Sequence, residues 1–153
     1  MSSDLILLAH PTFGALAILA GVWVFVEGLN ASGENSGRIR VASLATAGFM
    51  WAAYLVGGYW YVVFYAADKA RIVAGPWPFA HNFFMETKEH VFLGLLLLAT
   101  FLPIAAYNNL AVRPARHLVL GSSALVVLIG LAMEGAGAFI SMGVKLSLIA
   151  KAI

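Results

Sequence analysis

The residues of this chain best suited to chemistry are four histidines, His10, His81, His90 and His117, and one carboxylate, Glu134, all set within or at the edge of long apolar runs. Ionisable groups in such surroundings are costly to keep and mark a partner or a function. Three of the histidines share a spacing: His10 precedes Gly14, His90 precedes Gly94 and His117 precedes Gly121, each as His-x-x-x-Gly. On a helix the glycine then lies one turn away on the imidazole's own face. That leaves a flat slot of the kind a porphyrin needs when its iron sits on the imidazole. Gly21 continues the His10 face. Small residues also mark where membrane helices touch, so a packing reading stands beside the haem one.

The segment from Gly75 to His90, GPWPFAHNFFMETKEH, gathers His81, Glu86, Glu89 and His90. A helix starting near Met85 puts Glu86 and His90 on one face. With His10 and Glu134 these side chains form a set that suits zinc, copper(II) or iron. Acidic residues are also what a helix N-terminus favours through its dipole, and His81 reads as an exposed loop histidine. Glu134 has no such ordinary explanation. It lies about 26 Å along the helix from His117, near the level of His10, and suits a hydrogen bond to His10, a proton relay or a quinol headgroup.

Composition fixes the elements that must position these groups. The chain has 153 residues, 62% of them apolar and only 10% charged, with no cysteine and a net charge of +2. An ordinary soluble domain is roughly a quarter charged. The composition therefore excludes a soluble enzyme, a disordered tail and a nucleic-acid binder. The missing thiols exclude disulfides, iron–sulfur ligation and covalent c-type haem. Four runs, about 5–27, 41–67, 90–112 and 117–144, are long enough to span a bilayer and lack barrel alternation. The expected fold is all-α: a polytopic membrane protein forming one domain over 1–153, a four-transmembrane-helix up-down bundle. The last residues either extend the fourth helix or turn at Gly135 and Gly137 into a surface helix. No basic n-region precedes the first span, so it is read as retained rather than cleaved. Arg38, Arg40, Arg113 and Arg116 cluster near span ends on one face. That asymmetry makes this face cytoplasmic in an inner or plasma membrane, with both termini on the non-cytoplasmic side.

In such a bundle the first and third spans are parallel and diagonal. His10–Gly14 and His90–Gly94 on those spans resemble the haem-binding helices of membrane b-type cytochromes. The resemblance implies a non-covalent haem b near the face holding the termini, with His10 and His90 as axial ligands. Gly57 of the second span would let the ring pass, and Arg71, with Lys69 and Lys88, would meet the propionates. It further implies electron exchange with quinone, a partner redox subunit or a homo-oligomer, with Glu134 or Tyr61 handling protons. Only His117 is offered on the opposite side, so a second haem is not provided for. Two other readings stand beside this one. The first is a non-haem metal-binding membrane protein or enzyme using His10, His81, His90 and nearby carboxylates such as Glu86. The second is a structural subunit of a larger membrane complex.

Overall fold

Long apolar runs that must satisfy every backbone group internally can do so only as helices or closed barrels. The computed structural model, which describes residues 3–152 and their side chains from Leu5, is helical throughout, with no strand among the described residues. Its elements are α1 (Ser3–Leu29), α2 (Ser36–Ala74), a π-helical turn (Ala80–Met85), α3 (Glu86–Ala106) and α4 (Arg113–Ala152). All four helices are long and apolar enough to cross a membrane.

The helices form a ring in chain order. α1 and α3 each pack on α2 and α4, α2 touches α4 across the centre, and the backbones of α1 and α3 do not approach each other. The core has three layers. Val24, Ile39, Leu102 and Val119 fill the end near the short connections. Ala17, Met50, Leu95 and Val126 fill the middle, and Tyr65, Ile72, Met85 and Ile140 the end nearer the termini. The outer faces are apolar too: Leu19, Val62, Leu97 and Leu128 are all exposed.

Glycine brings α1 and α4 together. Gly14, Gly21 and Gly28 recur at heptad spacing along α1 and meet Glu134, Val127 and Leu120 in turn. A Cβ on Gly21 would lie 3.2 Å from Val127, and one on Gly28 would lie 3.1 Å from Leu120. Small residues allow this close approach, so the glycines on the His10 face serve helix packing.

Helix lengths depart from the expected spans. α2 has 39 residues and α4 has 40. At about 1.5 Å per residue each is roughly 60 Å long, twice a hydrocarbon core. A helix need not stop where the apolar run stops, so Arg38, Arg40, Asp68, Lys69 and Arg71 lie on α2 rather than in connections. α4 runs straight through Gly135 and Gly137 to Ala152, which settles the C-terminal alternative in favour of an extension. α3 is entered through the π-helical turn, where the amides of His81 and Asn82 both donate to Pro78 O at 3.0 Å.

Candidate functional site

Each of three ionisable side chains rests near a glycine of a neighbouring helix. His10 of α1 rests on α2, its ring against Gly57, where a Cβ would overlap it. Its Nδ1 is 2.9 Å from Ala53 O, one turn earlier in α2. A carbonyl only accepts, so Nδ1 carries the proton and Nε2 keeps its lone pair. Glu134 of α4 sets its carboxylate on Gly14 of α1, again where a Cβ would collide. Lys88 of α3 places Nζ 3.1 Å from where a Cβ on Gly137 of α4 would stand. The three groups converge: Lys88 Nζ is 3.4 Å from His10 Nε2, and both residues line the same cavity as Glu134.

This cavity has a volume of about 600 Å³. His10, Lys88 and Glu134 are its polar residues on the core side, while Tyr61 and Glu89 also line it. Tyr54 stacks on Phe92 at 5.4 Å and 18°, giving the cavity a flat aromatic wall. The exposed apolar residues Leu7 and Val62 also border it. The same three ionisable residues border a second, small void of about 20 Å³, closed by Ile18, Met50 and Leu95. That space suits about one water molecule.

His90 is not part of this site. It is exposed, its Nδ1 lies 2.6 Å from Glu86 O, and it does not line the cavity. Gly94 shares its outer position, with open space around an added Cβ, and the same holds for Gly121 beside the exposed His117. The diagonal pair expected across α1 and α3 therefore takes the form His10–Lys88 instead of His10–His90. Two residues on a helix are separated by about 200°, so Lys88 and His90 point opposite ways. The two histidines expected to ligate one haem are not brought to one site: His90 faces outward, and Lys88 Nζ stands 3.4 Å from His10 Nε2.

The remaining expectations divide. Gly57 is at the site, but as the seat of His10 rather than as a passage for a ring. Arg71 is exposed and paired with Asp68 at 2.8 Å, away from the cavity. His81 is buried, at 3% exposure, and not a loop histidine. Its Nδ1 is 3.0 Å from Tyr65 Oη, and its Nε2 is 3.5 Å from Glu86 Oε1. His81 and Glu86 are thus brought together, but His10 and His90 do not join them. Among the described residues no three His, Asp or Glu side chains are grouped to hold a metal ion.

Sequence reasoning passed over Lys88 as a propionate partner. The signal was its register: Lys88 is in phase with Phe92, Leu95, Ala99 and Leu102, of which the last three are buried. No protein family matches the chain, and no curated protein or solved structure matches it.

Proposed function

We propose that this protein spans a bilayer with four helices and serves membrane electron transfer by binding a quinone or quinol in the cavity at His10, Lys88 and Glu134. One observation carries the reading. Three polar groups from three helices meet beside a cavity of about 600 Å³ that has a flat aromatic wall and apolar residues on its border. A quinone has the matching parts: a planar ring, polar oxygens and an apolar tail. Membrane-depth ionisable residues characteristically mark such pathways.

The roles follow from hydrogen-bonding capacity. Lys88 donates to a carbonyl oxygen of the quinone. His10, with Nδ1 committed to Ala53, accepts a quinol hydroxyl at Nε2. Glu134 accepts the second proton as a carboxylate. Quinol oxidation thus sends two protons to this chain and two electrons to a partner redox protein. With Arg38, Arg40, Arg113 and Arg116 marking the cytoplasmic face, the cavity lies in the opposite half of the membrane. Its protons leave on the side of the termini.

The test is to purify the protein in mild detergent, extract and quantify bound quinone, and titrate a short-tailed quinone against tryptophan fluorescence. Saturable binding at about one quinone per chain, weakened about ten-fold in Lys88→Met, supports the reading; ten-fold is about 1.4 kcal/mol. A preparation with no extractable quinone and no saturable binding overturns it. Sharp reduced α and β haem bands would replace it with a b-type cytochrome.

A further inference from the structure

Tyr65 lies outside the cavity and takes no part in the chemistry proposed there. It is nevertheless 2% exposed and hydrogen-bonded to a buried histidine, Oη to His81 Nδ1 at 3.0 Å. His81 belongs to the π-helical turn, a backbone form that recurs at functional sites. Behind it, Nε2 is 3.5 Å from the Glu86 carboxylate, which reaches the surface. The negative Glu86 carboxylate favours the tautomer with the proton on Nε2; in that tautomer Nδ1 keeps its lone pair and Tyr65 O–H donates to it.

On its other side Tyr65 touches two rings that line the cavity. Tyr61 stacks on it at 5.1 Å and 24°, and Trp60 lies at 5.7 Å. Ring contacts pass electrons and no protons, whereas the hydrogen bond to His81 passes a proton. The phenol therefore has one exit for an electron and a separate one for a proton, as one-electron oxidation of a tyrosine requires.

We propose that Tyr65 is a redox-active tyrosine, giving an electron through Tyr61 to a one-electron oxidant in the cavity and its phenolic proton to His81. The oxidant is an oxygen-centred radical, stronger than a quinone, and it is reduced by one electron to the corresponding anion. The Oη–H bond breaks and an Nδ1–H bond forms. The product is a neutral tyrosyl radical beside an imidazolium whose Nε2–H faces Glu86. One electron from a reductant, with return of the proton, restores the pair. The site would act as a sink for oxidising equivalents and does not depend on the quinone reading.

The experiment uses the full chain in detergent, stripped of quinone and oxidised by photogenerated tris(bipyridine)ruthenium(III), with freeze-quench electron paramagnetic resonance. A tyrosyl signal is expected and should be lost in Tyr65→Phe. His81→Gln should form it about 100-fold more slowly, the low end of what a positioned base supplies, and without a deuterium isotope effect. Tyr65→Phe leaves His81 without its donor and could fail to fold, so the wild-type protein is also labelled with ¹⁵N-histidine. A ¹⁵N coupling in the radical's double-resonance spectrum is then expected. An undiminished signal in folded Tyr65→Phe, or a radical with no ¹⁵N coupling, overturns the proposal.

Discussion

His10 and Lys88 meet at 3.4 Å across the diagonal of the bundle, although the backbones of the helices that carry them do not approach each other. Only a long side chain can close that gap. Lysine reaches across with a flexible stem, while His10 stays pinned to Ala53 on the adjacent α2. The pair thus ties the two helices that lack backbone contact, at the level where the cavity opens.

Removing either side of that contact should be felt at once, and removing His90 should not. Lys88→Met keeps the stem and deletes the donor, leaving the part-buried His10 Nε2 unpaired. The expected loss is about 1–3 kcal/mol of stability, with quinone binding weakened about ten-fold. His90→Ala removes an exposed ring bonded only to its own helix and should change stability by under about 0.5 kcal/mol. Thermal unfolding in detergent with quinone titration checks both. An equal effect of the two substitutions would contradict the site.

The contrast shows what was legible in the sequence. Four apolar runs without alternation specify four helices, and the depth of Glu134 near His10 follows from helix rise alone. Which face of α3 turns inward is a matter of phase. The His-x-x-x-Gly pattern drew attention to His90, yet Leu93, Leu97 and Ile104 in its phase are all exposed, whereas Leu95, Ala99 and Leu102 in the phase of Lys88 are buried. In a membrane both phases are apolar, so hydrophobicity gives no direction; residue size and the partner helix decide it. His81 was misread for another reason. The π-helical turn after Pro78 folds back onto Tyr65, a tertiary contact that no local pattern announces.

Glycines that look alike in the sequence should behave oppositely. Gly57→Ala drives a methyl into the His10 ring, and Gly14→Ala drives one into the Glu134 carboxylate. Gly57→Ala should displace the pinned His10 ring and cost about 1–3 kcal/mol as overpacking. Gly14→Ala should cost less, because the Glu134 carboxylate ends a flexible side chain that can swing aside. Gly94→Ala and Gly121→Ala point into open space. They should be neutral or add up to about 1 kcal/mol, because alanine is the better helix former. Melting temperatures of the four variants in one detergent test this, and a uniform response would show that the seats are not close-packed.

The connection between α1 and α2 should depend on Asn35 far more than on its neighbouring ion pair. Asn35 is 6% exposed. Its Nδ2 donates to Glu27 O at 3.0 Å and to Glu27 Oε2 at 2.9 Å, while Oδ1 accepts from Ser32 N at 2.7 Å. Asn35→Ala removes a buried amide and all of these bonds at once, and should cost about 1–3 kcal/mol. Arg38 meets Glu27 at 2.8 Å, but its side chain is 59% exposed. Arg38→Ala should therefore cost much less than Asn35→Ala, because solvent screens so exposed a pair. Chemical denaturation of both variants, compared with wild type, ranks the two interactions directly.

The absence of cysteine lets orientation be measured with single introduced thiols. Gly33 and Asn109 are exposed in the two connections beside the arginine clusters, and Ala74 is exposed at the far end of α2. If that arginine-rich face is cytoplasmic, a membrane-impermeant maleimide should label Ala74→Cys in right-side-out vesicles. Gly33→Cys and Asn109→Cys should react only in inverted vesicles or after permeabilisation. The opposite pattern would put the cavity, and the protons released there, on the cytoplasmic side. Labelling of all three from one side would mean that the helices do not span the membrane.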